Sequence, residues 1–507
     1  MGNSPLSHPT PDLTPAVPSK SSLTAQVVRG AGWNVAGTAA QKALTLGAGI
    51  IVARLLSPTD YAIAGLAASV MGVFFTLTAQ GFAQALIQRK ELTDLACHSV
   101  FWLMTLAGLG LSSLVIVSAP WLAQFYSQPT LVPVMWVLAS SLVISMIGAV
   151  PNALLQRAMR FREINLIGII GGMASAILGI GIAWLGYGYW ALIMPGIGAT
   201  LFTAVRAFWL SGYRPARAFR WGELKAVSAF GLSMLGSNLL QYFSDNGDYL
   251  IMGRFWSPAN FGQYYFAFER SRQPFNLVIG QLSSVVFPAF SRIQNDPERL
   301  RRAFLRGTFS ICLLAFPLHV LLIGLADPLV PWIFGEQWRP AVPVFQVFAT
   351  FAFVRGVGSL VSPGLLALNR VQAALAFNVF RVMAAVPTLL YLGFHGASIE
   401  QTSVVLLAIW IVQAPFFIGY LYRQINLSWA ESWRSLRSLV GITTLMGIIL
   451  VTSRMLVEAM SWPTWAMVVV STILPSAAFV LLARHHLLQT LQQVRLALGG
   501  KRRESAL

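Results

Sequence analysis

Eight ionisable side chains in this 507-residue sequence stand where charge is costly and where their chemistry would matter. Lys42, Arg355 and Arg381 each fall mid-way along an apolar run, about 15–18 Å from a helix end at ~1.5 Å per residue. A guanidinium presents a fixed fork of donors to a phosphate or carboxylate, and an ammonium presents a point charge. Residue counting brings no carboxylate to that depth. The three cations are therefore expected to be unpaired and to bind an anion such as a diphosphate or an acidic sugar. The other five lie nearer the outer face. Asp245 and Asp248 are spaced i, i+3 and share one helix face. Glu269, Arg270 and Arg272 lie at matching depth on the next helix, which runs back. An interhelical ion-pair network is the first expectation for these five. Exchange of H+ or Na+ at Asp248 or Glu269 is the sharper alternative.

The segments that must position these groups are membrane spans. Only 35 residues are basic and 17 acidic, 56% are apolar, and the mean hydropathy is +0.67. A soluble chain of this length needs far more charge to cover its surface. Apolar runs of about 20 residues recur from end to end, as helices crossing a bilayer require. A transmembrane β-barrel would instead show short alternating segments. The runs predict an all-α polytopic protein with fourteen spans, near 30–53, 61–83, 98–118, 131–154, 164–186, 189–210, 226–251, 261–287, 303–324, 343–366, 371–393, 400–421, 437–457 and 464–484. With both termini inside, 26 of the 35 basic residues fall in cytoplasmic segments, and four, Arg54, Arg254, Arg339 and Arg454, in outer loops. That asymmetry obeys the positive-inside rule. It also accounts for the +18 net charge without nucleic acid, since the charge lies in short loops beside anionic lipid. Cys97 and Cys312 read as small apolar residues rather than a disulfide pair.

The chain repeats itself. "ARLLSPTDY" at 53–61 is echoed by "GRFWSPANF" at 253–261, and "LVPVMWVLAS" at 131–140 by "AVPVFQVFAT" at 341–350. Spans one and four thus map onto spans seven and ten. The unit is six spans, an even number, so the two copies face the same way as parallel repeats. The predicted organisation is a disordered cytoplasmic tail over 1–26, an N-lobe over 27–211 and a basic cytoplasmic linker over 212–225. A C-lobe over 226–425, an extra helix pair over 426–487 and a basic tail over 488–507 follow.

Several stretches resemble one family: "IIVARLLSPTDYAIAGLA", "LIQRKELTDLACHSVFWL", "AVPNALLQRAMRF", "GSNLLQYFSDNGDYLIMGRFWSPANFGQYYFA" and "VVFPAFSRIQNDPERLRRAFLR". Over roughly 27–425 the chain looks like the Wzx-type flippases and polysaccharide exporters of the multidrug/oligosaccharidyl-lipid/polysaccharide (MOP) superfamily. That resemblance implies two six-helix lobes around a central cavity. It also implies transfer of an undecaprenyl-diphosphate-linked oligosaccharide across the bacterial inner membrane by alternating access. Membrane lipids and a polysaccharide polymerase with its co-polymerase are the implied partners. A lipid II flippase and a cation-coupled drug exporter are the rivals within the superfamily. The latter uses acidic cavity residues, whereas the mid-span excess here is basic. No Walker A, HExxH, CxxC or DxD pattern occurs, so no catalytic or metal site and no cofactor beyond a coupling H+ or Na+ is expected. Polar residues within spans, among them His319, Asn378 and Gln413, are expected to hydrogen-bond between helices or to line a sugar path.

Overall fold

The computed structural model describes residues 37, 41, 44–78, 86–87 and 92–499, without side chains over 223–235, 277–288 and 490–499. The expected tail over 1–26, the inner part of the first span and Lys42 lie outside the described residues. Every regular element among the described residues is helical. In chain order these are α1 (Leu44–Leu55), α2 (Pro58–Leu77), α3 (Asp94–Phe125), α4 (Leu131–Arg157), α5 (Phe161–Trp184), α6 (Trp190–Ser211), α7 (Trp221–Met252) and α8 (Pro258–Arg292). Then come α9 (Pro297–Gly324), the short α10 (Ala326–Phe334), a 3-10 turn (Glu336–Ala341), α11 (Val342–Gly358), α12 (Val361–Ala367), α13 (Val371–Phe394), α14 (Ile399–Gln424), α15 (Trp429–Ala459) and α16 (Thr464–Gly499).

Eleven stretches of helix among the described residues are long and apolar enough to cross a membrane, α11 and α12 together supplying one of them. Large apolar side chains point outward from them, such as Ile177, Met383 and Phe416 at 69–70% exposure, as suits contact with lipid tails. The protein is a multi-pass membrane protein. Two further long helices, α7 and α8, carry the ionisable groups at 245–272, which lower their apolarity.

Contacts divide the chain into two compact units. One holds the residues up to Leu56 and Ile63–Phe243; the other holds Ser57–Ala62 and Ser244–Leu507. In the first unit α4 packs against α3 and α6, and α6 against α5. Its core joins Val100, Phe101 and Met104 of α3 to Met146 and Val150 of α4. The segment after α6 is strapped onto α3. The indole of Trp102 donates to the Ala216 carbonyl at 2.8 Å, the Arg220 N–H donates to Ser99 Oγ at 2.9 Å, and Tyr213 bonds His98 Nδ1 at 3.0 Å. Burial, then the nearby Cys97 and Asp94, pushes the Tyr213 phenol well above its ordinary value.

In the second unit α11 is central, packing against α8, α9 and α14, while α15 and α16 pack on each other and on α9. Cys312, Phe316, Leu439, Met446 and Phe479 form the core that fixes the extra pair to α9. Both cysteines are buried thiols outside any disulfide among the described residues. The echoed Ser-Pro phrases start α2 and α8. Ser57 caps the Asp60 N–H at 3.2 Å and Asp60 returns a bond to the Ser57 N–H at 2.9 Å, while Ser257 caps the Asn260 N–H at 3.3 Å. Pro58 and Pro258 occupy the first helical position, where a missing N–H costs nothing. Gly262 lets the two starts touch, since a Cβ there would run into the Pro58 carbonyl.

One expected span is present but interrupted. The run 343–366 reads as one continuous helix, but the chain breaks between Gly358 and Val361. Pro363 lacks the N–H that would bond the Ser359 carbonyl four residues back, and Gly356 and Gly358 weaken the turn before it.

Candidate functional site

The ionisable groups of the second unit are sorted by helix geometry. On α8, Glu269 and Arg272 are one turn apart and pair at 2.7 Å. Arg270, rotated away from them, donates to Tyr61 Oη at 3.1 Å and Gln273 Oε1 at 3.2 Å. On α7, Asp248 is buried and accepts a 2.7 Å bond from the Tyr264 hydroxyl of α8. Of the expected network over Asp245, Asp248, Glu269, Arg270 and Arg272, Glu269 and Arg272 form the direct pair, and Arg272 also lies in the field of Asp245 and Asp248 on α7. Tyr264 was not anticipated, because an aromatic within "QYYFAF" carries no sign of a polar role.

Asp245 also reaches beyond these five. Its Oδ1 lies 3.5 Å from Nη1 of Arg381, whose Nη2 donates to Asn378 Oδ1 at 3.0 Å. The expectation of an unpaired Arg381 is therefore corrected. Counting residues from a helix end underestimated how far inward α7 carries Asp245. Arg355 lies in the field of the same carboxylate and of Arg272. It shares a small pocket with Arg272, walled by Phe268, Phe275, Phe348 and Phe351. Among the described residues Arg355 has no hydrogen-bond partner. It sits in the last turn of α11, where the chain-break carbonyls and helix dipole favour a cation. The Nε atoms of Arg272 and Arg381 are buried without partners. Three guanidiniums thus gather around Asp245, Glu269 and Asp248 also act on Arg272, and part of the guanidiniums' donor capacity is unused.

His319 is a packed residue: it is fully buried, its Nδ1 bonds the Ala315 carbonyl at 2.7 Å, and its ring meets Phe275 edge-on. Gln413 ties α14 to α13 through the Phe377 carbonyl at 2.6 Å. Beside the extra pair, Val320, Ile323, Phe353, Thr443, Gly447 and Val451 line an apolar cavity of about 560 Å³.

Solved structures share this all-helical membrane fold. The inward closed conformation of lipid II flippase MurJ superposes with a TM-score of 0.71 at 14% identity, covering 90% of this chain and 99% of that one. An inward-facing multidrug resistance MATE family transporter of the MOP superfamily gives 0.59 at 17% identity, over 76% of this chain and 96% of that one. The fold is the one these two proteins share. Residues 51–343 match the family of polysaccharide biosynthesis proteins, and the chain belongs to that family. Among its relatives are lipopolysaccharide biosynthesis protein WzxC of Escherichia coli, 27% identical over 85% of this chain and 89% of its own length, and succinoglycan biosynthesis transport protein ExoT of Rhizobium meliloti, 26% identical over 80% and 81%. Teichuronic acid biosynthesis protein TuaB of Bacillus subtilis is 27% identical over 73% and 77%.

Proposed function

We propose that the protein flips an undecaprenyl-diphosphate-linked oligosaccharide across the bacterial inner membrane by alternating access, supplying exopolysaccharide, capsule or O-antigen synthesis. The observation that carries this reading is the set of guanidiniums, Arg272, Arg355 and Arg381, gathered around Asp245 within the apolar helices of a polysaccharide biosynthesis family member. A diphosphate matches their unused donors. Lys42 is assigned to the same anion-binding role from its place in the first span. A site built to bind a cationic drug would be expected to offer carboxylates rather than guanidinium donors.

The topology proposed is fourteen spans in two six-span repeats plus the extra pair, with both ends cytoplasmic, supported by the distribution of basic residues. The apolar cavity against α15 suits an isoprenoid tail, whose transfer out of water is favourable by ~0.8 kcal/mol per buried CH₂. Coupling to H+ or Na+ is assigned to Asp248, a buried carboxylate that accepts a hydrogen bond from the Tyr264 hydroxyl. A polymerase and co-polymerase would take the product at the outer face. The test is deletion in the native host followed by mass spectrometry of lipid-linked intermediates. A complete repeat unit trapped on undecaprenyl diphosphate is expected. Accumulation of lipid II would redirect the proposal to cell-wall precursor.

A further inference from the structure

Asp245 occupies the place a substrate's negative charge would take. It lies 3.5 Å from Arg381, and its field reaches Arg355 and Arg272. The pair is loose and reachable: the Arg381 side chain is 21% exposed and that of Asp245 27%, and the Arg381 Nε has no partner. The other carboxylates act on Arg272 too but are held by closer partners. Asp248, one turn along, is only 7% exposed and bonded by Tyr264, and Glu269 is held by Arg272 on its own helix at 2.7 Å.

Guanidiniums taken out of water need a counter-charge, because leaving them uncompensated costs several kcal/mol per ion. A carrier that binds its anionic cargo through arginines meets this need twice per cycle, once loaded and once empty. Loaded, the cargo's phosphates supply the charge. Empty, something in the protein must.

We propose that Asp245 is a built-in counter-anion: it neutralises Arg381 and Arg355 in the empty carrier and is displaced from them by the cargo's diphosphate. The proposal rests on the anion-binding reading of Arg355 and Arg381. It makes Asp245 a competitor of the substrate, weakening ground-state binding and speeding release and the empty return. Asn378 remains on Arg381 throughout as a neutral partner and holds the guanidinium in position while the anion changes.

The test uses the full-length chain in nanodiscs, with radiolabelled undecaprenyl diphosphate as the binding probe, and in proteoliposomes for turnover of the glycosylated lipid. Asp245→Asn is expected to bind the probe about 10-fold tighter or more while turning over about 10-fold more slowly. Asp245→Glu is expected to restore both values toward wild type, which a merely structural role in folding would not produce as an opposed pair of changes. Should Asp245→Asn fold poorly, Asp245→Asn combined with Arg381→Gln removes both charges together. That double variant is expected to recover folding and to bind the probe no more weakly than Arg381→Gln alone. Binding that is unchanged or weaker in Asp245→Asn, with loss of binding in Arg355→Ala, would overturn the counter-anion and leave the anion site standing. Unchanged binding in Arg355→Ala and Arg381→Ala would overturn the anion site itself.

Discussion

Helices α4 and α11 begin with nearly the same letters, and each is the helix around which its own unit packs. Beyond the shared opening they diverge. At the offset of 210 that aligns them, Ser145 of α4 corresponds to Arg355 of α11, and Gly148 to Gly358. Helix α4 runs unbroken for 27 residues and carries Pro151 without interruption, whereas α11 stops at Gly358. One glycine serves contact and the other does not: a Cβ at Gly148 would lie 2.9 Å from Cβ of Ala204, while a Cβ at Gly358 would meet Ile418 only at 3.6 Å. The same segment is thus a packing pillar in one unit and, in the other, a broken helix with a cation in its last turn. Non-helical backbone at membrane depth is tolerated only where protein or a water-filled cavity surrounds it. The contrast therefore points to the second unit's α11 as the element that handles charge.

Four substitutions press on this account. Arg355→Ser, which writes the α4 residue into α11, is expected to lower polysaccharide export by about 100-fold or more, the ~3 kcal/mol of a charge-assisted contact. Membrane insertion, measured by fluorescence-detected gel filtration, should be unchanged. Glycine to leucine exchanges come next. Gly148→Leu should destabilise the protein by about 1–3 kcal/mol through overpacking against α6, and Gly358→Leu by much less, in thermal unfolding of the detergent-solubilised chain. Equal losses would mean that α4 and α11 pack alike. The smallest effect is expected of Asp248→Asn, about a several-fold drop in rate with loss of dependence on the pH or sodium gradient. If the variant keeps its full gradient dependence, Asp248 serves only to hold Tyr264.

Much of this was legible in the sequence because lipid leaves few options. A run of about 20 apolar residues has one way to satisfy its backbone, and Ser-Pro phrases mark helix starts by their capping chemistry. The break after Gly358 was also written, in "VRGVGSLVSPG", but an apolar run through 343–366 outweighed two glycines and a proline. The Asp245–Arg381 pair was not legible. Its members are 136 residues apart, and sequence gives depth along a helix without the rotation that sets which neighbour a side chain meets. Arg272 was read only as an ion-pair member, because nothing in its local sequence shows that α11 brings Arg355 into the same pocket.

The central claim is that the guanidiniums of α11 and α13 hold the anionic headgroup of the cargo. The most direct measurement is mass spectrometry of lipid-linked glycans in a deletion strain complemented with wild type, Arg355→Ala or Arg381→Ala at matched membrane levels. The account predicts that both variants accumulate the complete undecaprenyl-diphosphate-linked repeat unit as the deletion does, while wild type clears it. Clearance by either variant at the wild-type rate would contradict it.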